Sequence, residues 1–174
     1  YHLLCVYLGM NKGNKTMNKK QAVKQIHSLL VEAESIAKKE LDLDNIFYNE
    51  RFIELFMSDK LGHVYGNNTQ GGDALEADIN KPTEYKAINT RNKTKKGSFQ
   101  FHWLSENKIK KYKETENMYF CVRDGVTIKD IYKVPTEKVS PYLDKNATGS
   151  KDISGHASFS VEKLITELGA KKVV

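Results

Sequence analysis

The chain has 174 residues and is 39% hydrophobic, enough for one domain with a real core and too little for two large ones. Its 28 Lys and Arg against 22 Asp and Glu give a formal charge of +6, which favours an anionic partner without identifying it. Cys5 and Cys121 stand far apart outside any CxxC or Cys/His cluster, against a disulfide framework or a zinc site and for a reducing cytoplasm, and no apolar run reaches the roughly 18 to 20 residues that span a bilayer.

Residues 1–16 read as an upstream extension, because Met17 opens a Lys-rich stretch that leads straight into a helical pattern. Between 18 and 41 the residues Ala22, Ile26, Leu29, Leu30, Ala33, Ile36, Ala37 and Leu41 recur at spacings of three and four, predicting an amphipathic helix. A second helix is expected over 45–61, with a wide apolar face and Gly62 as its stop. From His63 the Gly- and Asn-rich run 66–72 predicts a loop. Short strands follow at 73–78 and 83–88, read as an antiparallel pair with Asn80, Lys81 and Pro82 as the turn.

A basic loop over 90–97, an aromatic segment over 99–104 and a helix over 105–115, with Ser105 as N-cap, come next. Strands at 118–123 and 126–134 flank Asp124-Gly125, a hairpin signal. A short helix at 136–143, a polar loop at 144–158 and a closing helix at 159–168, ended by Gly169, complete the expectation.

The chemistry concentrates in 72–89. On a strand, Glu84 and Lys86 emerge on one face and Tyr85 on the other. If Asp73 begins the partner strand, its carboxylate meets Glu84 and makes a hard, oxygen-rich site suited to Mg²⁺. Phosphodiester hydrolysis needs those parts, with Lys86 either neutralised by burial to deprotonate water or charged beside the phosphate. A Glu-x-Lys triplet by itself also fits a solvated strand face with a modest ion pair. Asp78 and Glu76 are rival ligands that fall on the face opposite to Asp73. The segment 86–113 carries Lys86, Arg91, Lys93, Lys95, Lys96, Lys108, Lys110, Lys111 and Lys113 against Glu106 as its one acid, a credible phosphate-binding surface. Gln100, His102 and Trp103 interleave with it and are candidates to read or pack beside base edges.

In order, Asn45-Ile46-Phe47, Gly72-Asp73-Ala74, Glu84-Tyr85-Lys86-Ala87-Ile88-Asn89, Lys111-Tyr112, Gly125, Ile131-Tyr132, Gly149 and Lys151-Asp152-Ile153 resemble the PD-(D/E)xK nucleases, and within them the PvuII-like type II restriction endonucleases. The resemblance implies an α/β fold with a restriction-endonuclease-like core, a mixed central sheet flanked by helices, and an N-terminal helical dimerisation region. It divides the domain at 17–174 into a helical dimerisation part, 17–62, and a catalytic and DNA-recognition part, 63–174.

It further implies a prokaryotic cytoplasmic homodimer on a palindromic duplex site, Mg²⁺-dependent hydrolysis leaving 5′-phosphate ends, and a cognate DNA methyltransferase that protects the host. Asp73, Glu84 and Lys86 match the metal-binding acids and catalytic lysine, Tyr112 an active-site tyrosine, and His102 a base-contacting histidine run that here reads Phe101-His102-Trp103. Asn49 stands where relatives carry an acid facing the minor groove, and Ser154-Gly155-His156 replaces an Asn pair that reads a base. The turn from Asp73 to Glu84 is a residue longer, and Gly72 replaces the Pro of the signature. Other readings of the same residues are a junction resolvase, a repair nickase, or a basic DNA-binding protein without catalysis.

Overall fold

Helix α1 (Lys19–Leu41) begins where a polar cap precedes the apolar period. The Asn18 side chain accepts the Gln21 N–H at 2.9 Å, and the Gln21 side chain accepts the Asn18 N–H at 3.2 Å, a closed capping box. Asp42 turns the chain left-handed at φ 51°, and Lys38 binds Asp42 and Asp44 at 3.0 and 3.1 Å. This computed structural model describes residues 17–65, 72–91, 97–147 and 155–174, in two compact units, Tyr1–Asp44 and Asn45–Val174. Within the first unit, Val23, Ile26, Leu29 and Leu30 are exposed. No helix among the described residues is long and apolar enough to cross a membrane.

The second unit opens differently from the expected continuous helix over 45–61. Asn49 and Glu50 take left-handed φ of 50° and 65°, so a single 3-10 turn at 48–50 precedes helix α2 (Arg51–Leu61). Strand β1 (Val64–Tyr65) then pairs with β2 (Ala74–Glu76), which runs antiparallel to β3 (Lys81–Asn89). The turn between them occupies 77–80; Lys81 and Pro82, expected in that turn, already belong to β3. Pro82 is the second residue of the strand, after Lys81, and its carbonyl accepts the Glu116 N–H at 3.2 Å.

Strand β4 (Ser98–Leu104) leads to helix α3 (Glu106–Lys113), whose N-cap Ser105 accepts the Lys108 N–H, and then to the hairpin β5 (Asn117–Asp124) and β6 (Thr127–Pro135). Helix α4 (Thr136–Asp144) follows. Residues 155–158, read from sequence as loop, instead belong to strand β7 (Gly155–Ser160), and the closing helix α5 (Val161–Thr166) starts later than expected, on its Ser160 cap. The burial of 155–160 alternates buried and exposed, the pattern of a half-covered strand, but small residues carry most of it and hide the period. A last short strand, β8 (Lys171–Lys172), lies beyond the expected elements.

The central sheet has the order β1-β2-β3-β5-β6-β8 and is mixed: β3 and β5 run parallel, while the other pairs are antiparallel. Strands β4 and β7 form a separate two-stranded ribbon. Strand β5 is buried on both faces. Met118 and Phe120 join Phe99, Phe101, Phe159, Val139 and Leu143 in one core, whereas Tyr119 and Cys121 join Ile53, Met57, Ala74, Tyr85 and Ile131 in the other. This double burial follows from α2 covering one face and α3, α4 and the ribbon the other.

A buried polar knot ties the short strand β2 to the sheet. Glu76 accepts from Asn117 Nδ2 at 2.7 Å and from the Tyr119 hydroxyl at 2.8 Å, and pairs with Lys133. Burial alone would raise the Glu76 carboxyl, but the bonds from Lys133, Asn117 and Tyr119 outweigh it and hold the group below its ordinary range. Glu76→Ala would leave Lys133 and two further donors without their acceptor. The expected loss is about 3 kcal/mol, measured by urea unfolding at neutral pH, with Glu76→Gln losing less.

Candidate functional site

The site is built on the β2–β3 hairpin. Asp73 lies just before β2, and its N–H donates to Thr83 O at 2.9 Å, which extends the hairpin by one bond. Its Oδ2 accepts the Tyr85 N–H at 2.7 Å, fixing the carboxylate beside the middle of β3. The approach leaves no space at residue 72, where a Cβ would stand 2.7 Å from Thr83 O and 3.0 Å from Pro82 Cβ. Gly72 therefore fits the close packing of the two strands where the signature proline of other nucleases does not appear.

Glu84 and Lys86 emerge from β3 on one face, as their spacing demands, and form an ion pair with side chains only 12% and 19% exposed. Lys86 Nζ also donates to Tyr85 O at 3.0 Å and sits 5.2 and 5.4 Å from the rings of Phe101 and Tyr112. Tyr85 points to the opposite face, where its hydroxyl shares a 2.8 Å hydrogen bond with His63 Nδ1. Tyr112 comes from α3, is buried, and packs edge-on against Phe101 with centroids 5.6 Å apart. Burial pushes its hydroxyl up to about 12, so it is a neutral hydrogen-bonding group beside Lys86.

Electrostatics reveal a participant that sequence reasoning missed. Burial raises the Glu54 carboxyl on α2; the Tyr65 hydroxyl donates to it at 3.2 Å, and it feels both Lys86 and Glu84. Its signal in the sequence was faint: a lone acid inside the apolar run Phe52-Ile53-Glu54-Leu55-Phe56. Burial raises Asp73 to about 7, with Glu84 and Glu54 pushing the same way and Lys86 opposing. For Lys86 burial acts downward, but Glu84, Tyr112 and Asp73 outweigh it, and the ammonium ends above its ordinary value. Of the two states open from sequence, these surroundings favour the cation.

Asp73, raised by burial and by the nearby Glu84, is a carboxylate whose charge a hard divalent cation would relieve, and Asp73 with Glu84 could supply such an ion with oxygen donors. Among the described residues no group of three or more His, Cys, Asp or Glu gathers around one point. Asp73 and Glu84 are the two carboxylates that could hold such an ion here.

Two depressions meet at Lys86. One, of about 430 Å³, is lined by Asn49, Glu50, Lys86, Ala87, Ile88, Asn89, Gly97, Ser98, Gln100 and His102. The other, of about 540 Å³, is lined by Glu84, Lys86, Ser105, Asn107, Lys108, Lys111 and Tyr112. The fold therefore brings Asn49, Gln100 and His102 to the hairpin, and His156 beside His102, with their Nδ1 atoms 3.1 Å apart. Arg91 is engaged elsewhere: it pairs with Asp124 and lies against Gly125 at the β5–β6 turn. Lys93, Lys95, Lys96 and Ser154 lie outside the described residues.

The raised Asp73 carboxyl sets a pH dependence. Its folded value of about 7 exceeds the ordinary 3.8, so the metal-free fold holds a proton that the unfolded chain has released. The resulting stability is fully present below the lower value and is lost as pH rises through the higher one. Metal-free Asp73→Asn should exceed the parent by about 2 kcal/mol near pH 5 and by about 4 kcal/mol near pH 8, measured by thermal or urea unfolding in chelator. An equal difference at both pH values would contradict this electrostatic picture.

The family model for restriction endonuclease PvuII matches residues 18–157, which takes in the hairpin, the ribbon strand β4, α3 and the β5–β6 pair. No curated protein matches the chain. The mixed sheet flanked by helices is a restriction-endonuclease fold, and the chain belongs to the PvuII family of type II restriction endonucleases, nucleases that act on DNA.

Proposed function

We propose that the protein is a homodimeric, Mg²⁺-dependent endonuclease that cuts both strands of a palindromic DNA site and leaves 5′-phosphate ends, alongside a methyltransferase that protects host DNA. The observation that carries the chemistry is the convergence of Asp73, Glu84 and Lys86 on one face of a single hairpin, inside a fold of the PvuII family. Asp73 and Glu84 hold the cation. A divalent ion there supplies Lewis acidity toward the phosphodiester and acidifies water.

Lys86, kept protonated by its surroundings, stabilises the charge that grows on the phosphoryl oxygens as water attacks and the bond to the 3′-oxygen breaks. The leaving oxygen takes up a proton and becomes the 3′-hydroxyl. Tyr112 and Phe101 wall the lysine on its apolar side, so that it bends toward Glu84 and the substrate rather than into solvent. Gln100, His102 and His156, with Asn49 on the facing side of the cleft, supply the donors and acceptors for base edges. Arg91, Lys93, Lys95, Lys96 and Ser154 are assigned to backbone and base contacts on their sequence positions.

The dimer reading draws on α1. A helix in water does not keep an apolar stripe of Val23, Ile26, Leu29 and Leu30 at 44 to 66% exposure without a partner surface, and a second copy offers the complementary stripe. The division into a dimerisation part at 17–62 and a catalytic and recognition part at 63–174 is part of the same proposal.

Digestion of a plasmid of known sequence tests the function. Discrete fragments should appear with Mg²⁺ and vanish with EDTA, and Lys86→Ala or Asp73→Ala should lower the cleavage rate at least about a thousandfold while retaining the fold. Binding that survives chelation with no cutting under any metal would instead establish a non-catalytic DNA-binding protein. For the dimer, Ile26→Asp combined with Leu30→Asp should halve the mass seen by sedimentation and abolish double-strand cutting.

A further inference from the structure

The ribbon β4–β7 carries a defect that its sequence does not announce. Phe101 pairs with Ala157, but the next pair is Leu104 with Gly155, so three steps on β4 match two on β7. One extra residue is thereby inserted, and His102 and Trp103 both stand opposite His156. Their rings form a small exposed cluster, with His156 centred 5.2 Å from His102 and 6.4 Å from Trp103. At the end of the bulge, the β7 backbone approaches so closely that a Cβ on residue 155 would fall 1.6 Å from Asn146 O.

Trp103 bears the cost of this geometry. Its φ is +58°, a left-handed conformation that glycine or asparagine adopts readily and a bulky aromatic residue does not. Folding does not repay that strain through packing, because the indole is 71% exposed and belongs to neither core. A large apolar ring held in an unfavourable backbone conformation, at a bulge, on the surface, is arranged for contact with something outside the chain. Its neighbours indicate which face that is. Gln100 and His102, on the same strand, line the depression that contains Lys86, and Lys108 Nζ donates to His102 O at 2.9 Å, placing a cation beside the bulge.

We infer that Trp103 stacks on a base of the DNA duplex, opening one base step at the edge of the recognition site and so adding selection by deformability to the hydrogen bonds made by its neighbours. The inference rests on the endonuclease reading and deepens it. Stacking suits this residue better than edge readout, since an indole has a single donor and no acceptor, whereas its face matches any base. A step that unstacks easily is favoured over a stiff one, which gives specificity without a base-specific contact.

Trp103 is the only tryptophan of the chain, so its emission reports on this residue alone. The test titrates the full chain, in Ca²⁺ or EDTA, with duplexes that carry the cleaved sequence found by plasmid digestion. These contain 2-aminopurine at successive positions. Indole emission should fall by about half on binding, and 2-aminopurine should brighten at one position only. Trp103→Gly should melt at or above the parent temperature, because the strain is gone, yet bind about ten- to a hundredfold more weakly, while Trp103→Phe keeps most of the affinity. Cleavage and tight binding with unchanged indole emission, or a Trp103→Gly protein that binds as the parent does, would overturn the stacking role and leave the endonuclease standing. A folded protein that neither binds nor cuts any duplex would overturn the endonuclease reading and the stacking role with it.

Discussion

The hydrogen bond from the Tyr85 backbone N–H to the Asp73 carboxylate is the constraint on which the site depends. It joins the last residue before β2 to the centre of β3, and it does so from the same residue whose side chain is buried on the opposite face against His63. A strand must alternate its side chains, so burying Tyr85 in the α2-side core turns Glu84 and Lys86 together toward the other face. Gly72 permits the close approach, Glu76 anchors the far end of β2 to β5 and β6, and the carboxylate of Asp73 is delivered beside Glu84 by the hairpin rather than by a flexible loop.

That delivery is unfavourable in isolation. Burial and like charge push Asp73 upward, and Glu54 on α2 adds to the negative charge, while Lys86 offsets part of it through its pairing with Glu84. The arrangement leaves an electrostatic imbalance that a cation of high charge density would remove, which is the physical sense in which the proposed metal site is preorganised. The same environment favours the protonated form of Lys86, which suits the role proposed for it, a fixed positive charge held by aromatic walls.

The recognition surface proposed above is a different kind of structure. The β4–β7 ribbon lies outside the central sheet's hydrogen-bonded order, and its bulge crowds two residues of one strand opposite one of the other. The hairpin is held by backbone bonds and two cores, whereas the tip of the ribbon presents His102, Trp103 and His156 to solvent. The rigid part suits a chemistry that tolerates little displacement, and the exposed part suits contacts that differ from one recognition sequence to another.

Local pattern alone made much of this legible. The three-to-four spacing set α1, the alternation around Tyr85 set the shared face of Glu84 and Lys86, and the opposite parity of Glu76 assigned it to the other face, where it is found. These depend on the period of a helix or strand, which neighbouring residues determine. What required the tertiary structure was each relation between segments distant in sequence. Strand β7 carries too weak a pattern to be seen before β4 lies beside it; the bulge at Trp103 exists only in the pairing of the two; and Glu54 enters the site because α2 packs on the sheet. The charge state of Lys86 belongs to the same class, since burial and the surrounding acids act in opposite directions and only their distances decide which prevails.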